Sequence, residues 1–150
     1  MTNQKKSMKL YNVLFPFWML LLFPQMWLVI LPGNFIIDSL VFLISMKALG
    51  ISEKKQWYKK HILKIFAFGF LSDIIGSLYM LLLLFLELGE TADELYFTFP
   101  ALIISAVLIF VFNYFVTFRK TDKVLRKRLS FILAIATAPY TFLIPTSWLY

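Results

Sequence analysis

Residues 61–88 read HILKIFAFGFLSDIIGSLYMLLLLFLEL, and from 65 to 86 the only charge is Asp73. A helix that crosses the hydrocarbon of a bilayer needs about 20 predominantly apolar residues. This stretch has both the length and the composition, so its natural solvent is lipid. Its one acid then needs an explanation, because a carboxylate at the centre of a spanning helix costs about 2.5–3.5 kcal/mol on insertion scales.

The same test applied outward finds further candidate spans at about 10–31, 34–49, 97–118 and 129–149. Together they predict an all-α, polytopic integral membrane protein with five transmembrane helices, a single membrane domain over 1–150. Pro32-Gly33-Asn34 reads as a tight turn between the first two spans, with Asn34 as the N-cap of the second. Pro16 and Pro24 interrupt the first span, and Pro139 and Pro145 leave the fifth kinked or locally open. The start of the chain has the charged n-region of a signal peptide at Lys5, Lys6 and Lys9. Its apolar stretch is about twice the usual h-region, and Val29-Ile30-Leu31-Pro32 is no small-residue cleavage site. It reads as a permanent helix.

Composition agrees. Apolar residues make up 61% of the 150 and charged residues 15%, against about 45–50% and about 25% in soluble domains. A soluble fold of this size leaves roughly 30% of its chain surface exposed, too much to hide such a composition. With no cysteine and one histidine, the sequence excludes a disulfide scaffold, a thiolate metal site and a cysteine nucleophile. No metal or cofactor is expected.

Charge orients the bundle. Every Lys and Arg falls in one of three clusters: Lys5, Lys6 and Lys9; then Lys47, Lys54, Lys55, Lys59, Lys60 and Lys64; then Arg119, Lys120, Lys123, Arg126, Lys127 and Arg128. Five spans put all three on one side, whereas a four- or six-span count would move one of them across. The opposite loop carries Glu87, Glu90, Asp93 and Glu94. Lys/Arg excess marks the cytoplasmic face, so the amino terminus is expected inside and the carboxyl terminus outside. The net charge of +7 is explained by topology and by attraction to anionic lipid headgroups at the inner face, and no nucleic-acid partner is expected. Ser52-Glu53 offers a cap for a helix entering the third span, and His61 reads as a headgroup-facing residue at the inner boundary. Size and lysine richness suggest a bacterial cytoplasmic (inner) membrane.

Two acids remain inside the spans, Asp38 and Asp73. At 100° per residue Gly69, Ser72, Asp73, Gly76, Ser77 and Met80 share one stripe of the third helix, and Asn34, Asp38, Val41 and Ser45 one stripe of the second. Ser105, Asn113 and Thr117 line the fourth, and Ser130, Ala134, Thr137 and Thr141 the fifth. Small residues let membrane helices approach closely, so most of these positions read as packing. Asp38, a few residues past the expected turn, reads as an outer site, and Asp73 as a deep one. Pro24-Gln25 resembles the helix breaks that line transporter sites.

The candidate substrate- or ion-binding residues are therefore Asp73, Asp38, Asn34, Ser72, Gln25 and Asn113. Catalytic signatures are scarce. There is no GxSxG elbow, no HExxH motif and no phosphate-cradling glycine loop. The Gly-x-Gly-Asp string of intramembrane aspartyl proteases is also absent. The chain reads as a small transporter or channel linked to protons or cations through buried carboxylates, in a homo-oligomer because so few helices make a thin pore wall. The alternative is a non-catalytic assembly subunit whose polar seams meet another membrane protein. A lipid-acting enzyme using Glu53, His61 or Asp122 is the weakest reading.

Overall fold

The computed structural model describes residues 17–86 and 95–144. Among these residues the secondary structure is helical: α1 Phe17–Leu20, a 3-10 turn Pro24–Met26, α2 Trp27–Ala48, α3 Lys54–Phe85, α4 Leu95–Phe112, a π-helical segment Asn113–Thr117, α5 Lys123–Ala136 and a 3-10 turn Tyr140–Leu143. Among the described residues, three helical stretches are long and apolar enough to cross a membrane: Pro24–Ala48, Lys54–Phe85 and Thr98–Thr117. At 1.5 Å per residue, α5 is about 21 Å long, short of a full crossing by itself. The loop with Glu87, Glu90, Asp93 and Glu94, the lysines at 5, 6 and 9, and Pro145 lie outside the described residues.

The expected turn at Pro32-Gly33-Asn34 is not formed. α2 runs straight through it, with Pro32 inside the helix, so 10–31 and 34–49 are not two spans parted there, and Asn34 is no N-cap. The reason is the solvent. In hydrocarbon an irregular turn leaves backbone groups unsatisfied, whereas a proline within a helix removes one hydrogen bond only. The break lies earlier, where Pro24 takes the first position of its 3-10 turn. There the indole N–H of Trp27 donates to the Leu21 carbonyl at 2.8 Å.

α2 packs on α3, α3 on α4, α4 on α5, and α5 back on α2. α2 ends in a glycine cap: Gly50 has φ of 70°, its N–H donates to the Lys47 carbonyl, and that of Ile51 to the Met46 carbonyl. The expected Ser52-Glu53 cap is weaker than its sequence suggests, since Glu53 occupies the N-cap of α3 without a side-chain hydrogen bond. Asp122 does cap α5, accepting from the Val124 N–H at 3.0 Å. The loops 49–53 and 118–122 lie at the same end of the bundle, so the second and third basic clusters meet there. Lys60 and Lys64 share one notch with Arg119 and Lys120.

The polar and small seams face inward. Gly69, Ser72, Asp73, Gly76, Ser77 and Met80 are all buried on α3. Ser105, Asn113, Thr117 and Ser130 are buried on the helices opposite. Among the described residues, two apolar clusters hold the bundle. One, toward the basic end, joins Phe42, Met46, Ile62, Ile65, Ile109, Phe118, Leu129 and Leu133. The other joins Leu21, Met80, Ala101 and Phe142. Contrary to the headgroup-facing expectation, His61 is buried. Its Nδ1 donates to the Trp57 carbonyl at 2.9 Å, and its ring packs on Trp57 and Phe118. An i, i+4 carbonyl is a nearer partner for the imidazole than any headgroup.

Candidate functional site

Asp38 and Asp73 open onto one cavity of about 450 Å³. α2 supplies Asp38 and Asn34, and α3 supplies Asp73, Gly69 and Phe70. Both chain breaks contribute as well. Leu20 and Leu21 come from the end of α1 and the break before Pro24, and Thr137, Pro139 and Thr141 come from the break that ends α5. Val29 and Tyr140, both largely exposed, form part of the rim. Most of the remaining lining is aliphatic or aromatic.

The absence of the turn changes the position of Asp38. Lying eleven residues into α2 rather than four past a turn, it is only 4% exposed. Its carboxyl rests against the bare backbone of Gly69, where a Cβ would lie 3.4 Å from Oδ2. Asp73 is one helical turn further along α3, a rise of about 6 Å, on the same face as Gly69. It is 6% exposed, and its Oδ1 is buried without a hydrogen-bond partner among the described residues. Buried carboxylate oxygens are ordinarily satisfied; chemically, this one can carry a proton or accept a hydrogen bond.

The other candidates separate. Asn34 lines the cavity, half-buried. Ser72 is structural: its hydroxyl donates to the Phe68 carbonyl at 2.7 Å, and its own carbonyl accepts from the Ser105 hydroxyl at 3.0 Å. Gln25 is exposed in the 3-10 turn and does not line the cavity. Asn113 lies at the start of the π segment, donating to the Ile109 carbonyl at 2.9 Å, with its Oδ1 unpartnered. Thr137 and Thr141 belong to a column that reads as packing in the sequence, yet they line the cavity. Pro139 was the available clue, since a proline frees the backbone around it. Among the described residues, no group of three His, Cys, Asp or Glu is placed to hold a metal ion.

No family model, curated protein or solved structure matches this chain. The class that the fold itself defines is a small helical bundle with three helices long and apolar enough to span a membrane and a cavity lined by two acids.

Proposed function

We propose that this protein is a small membrane transporter coupled to protons or cations through Asp73 and Asp38. The observation that carries this reading is the shared cavity, in which two acids from different helices meet between two broken segments. Acids in apolar surroundings bind protons and cations because charge there is poorly solvated. Helix breaks beside them offer loose backbone groups of the kind transporters use. A volume of about 450 Å³ falls within the range of small-molecule sites, about 300–1,000 Å³. With its aliphatic and aromatic walls, it suits an organic cation better than a bare ion. The lipid-facing side of α2, with Leu28, Ile36 and Ile44 exposed, carries no acid. An assembly subunit that joins a partner through its acids would present them there, so transport is the better reading.

The basic end of the bundle faces the cytoplasm in this proposal, with the carboxyl terminus outside and the protein in a bacterial cytoplasmic membrane; because α2 is one crossing rather than two, an amino terminus inside requires the residues before Pro24 to supply the fifth. α5 and the 3-10 turn after it complete a crossing between them. A homo-oligomer would thicken the wall around each cavity.

Two experiments test these statements. Purified protein in liposomes is expected to carry a flux of protons, Na⁺, K⁺ or an organic cation such as ethidium above that of empty vesicles. No flux of any of these ends the proposal. For topology, the absence of cysteine makes single-cysteine labelling clean. In intact cells Lys55→Cys, Lys127→Cys and Lys6→Cys are expected to resist an impermeant maleimide, whereas Glu90→Cys reacts. Labelling of Lys55→Cys or Lys127→Cys from outside inverts the orientation, and labelling of Lys6→Cys alone places the amino terminus outside.

A further inference from the structure

A second cavity, of about 380 Å³, lies at the basic end between α3 and the π segment. Lys60 and Lys64 line it from α3, and Arg119 and Lys120 from the turn after the π segment. Among the described residues, no acid lines it. Topology alone asks for positive charge on this face but not for a notch with four cations around it.

The π segment gives this notch a further property. In α-helices a Ser or Thr hydroxyl commonly returns its hydrogen bond to the carbonyl four residues back. Ser45, Ser72 and Thr137 do so, onto Val41, Phe68 and Leu133. Thr117 stands at the end of the π segment, where the Phe118 N–H reaches back five residues to the Asn113 carbonyl at 2.9 Å. Its hydroxyl is buried and has no partner among the described residues, the residue is 5% exposed, and it lines the notch. π segments occur often at functional sites. Next to it Phe115 and Val116, 61% and 45% exposed, present apolar surface on the same lining.

We propose that this notch binds the phosphate headgroup of an anionic phospholipid. Lys60, Lys64, Arg119 and Lys120 supply the charge, the Thr117 hydroxyl supplies a directed hydrogen bond, and Phe115 and Val116 lie against the acyl chains. Charge-assisted hydrogen bonds to phosphate are the strong ones. The apolar flank favours a lipid over a soluble phosphate ester.

The test is native mass spectrometry of the whole chain in detergent, titrated with phosphatidylglycerol or phosphatidylcholine. Phosphatidylglycerol is expected to be retained in preference. Removing two charged contacts with Lys64→Gln plus Arg119→Gln should lower its retention about tenfold or more. Removing the same charge outside the notch, with Lys55→Gln plus Lys127→Gln, should lower it by less than about twofold. Thr117→Val is expected to weaken retention by about threefold, and Thr117→Ser to restore it, which separates loss of the hydroxyl from loss of the fold. Equal losses in the two double variants would show a diffuse surface attraction and overturn the site. So would equal retention of the two lipids. Displacement of the lipid by millimolar inorganic phosphate or glycerol phosphate would assign the notch to a soluble anion instead.

Discussion

Asp73→Asn is expected to abolish coupled flux, bringing uptake in liposomes down to the level of empty vesicles. The exchange keeps the shape of the side chain and removes only its ability to take up and release a proton or balance a cation. Because Oδ1 of Asp73 is buried and unpartnered, no internal hydrogen bond is lost at that atom, and folding should be spared. The neighbouring acid should behave differently. Asp38→Asn removes one of the two carboxyl groups from the same cavity and is expected to weaken apparent affinity about tenfold, the equivalent of about 1.4 kcal/mol, while leaving some flux at saturation. Flux measured across the concentration range separates the two outcomes. An Asp73→Asn variant that transports like the parent would remove the carboxylate from the mechanism.

Gly76→Ala is expected to destabilise the bundle by about 2 kcal/mol or more, the range of overpacking a tight core. A Cβ at 76 would overlap the Ser105 hydroxyl and approach the Ala101 carbonyl oxygen to 3.2 Å. Ser105 has little room to yield, because its hydroxyl donates to the Ser72 carbonyl. Displacing it forfeits a further hydrogen bond of about 1 kcal/mol. The same substitution at Gly33 meets nothing within 4 Å and should be neutral or stabilising, since alanine is favoured over glycine within a helix by up to about 1 kcal/mol. Unfolding midpoints in a denaturing-detergent titration should therefore move in opposite directions or differ plainly. Equal midpoints would mean that α3 and α4 do not pack closely at Gly76.

Much of this arrangement is legible in the sequence because lipid is a demanding solvent. The length and purity of the apolar run at 65–86 leave helix as its only outcome, and the inward stripe from Gly69 to Met80 follows from the helical period. The meeting of the lysines near 60 with the basic residues near 120 follows from the even number of helices between them. The register of α2 was not legible. Pro32-Gly33-Asn34 carries every mark of a turn in water, and the rules that make it one lose to backbone satisfaction in hydrocarbon. A turn there would put Asp38 near a rim; the unbroken α2 puts it mid-helix. The contribution of Thr137 and Thr141 to the cavity was hidden for a related reason. Where a helix opens at Pro139, the periodicity that assigns residues to faces stops applying. The π segment has no sequence signature that periodicity can detect, so the free hydroxyl of Thr117 is a property of the fold alone.

The cluster of Phe42, Ile65, Ile109 and Leu133 lies between the two acids and the basic end. Along each of α2, α3 and α5 the order is the same: cavity residues, then this apolar layer, then lysines and arginines. Such a layer is an electrical insulator. Where water reaches the acids from the rim, the membrane voltage drops chiefly across the dry layer beneath them, and 100 mV is worth about 2.3 kcal/mol per elementary charge. A cation entering from the rim would then settle on Asp73 and Asp38 without having crossed the field. In the proposed transport, almost all the electrical work would fall on passage through the layer around Phe42.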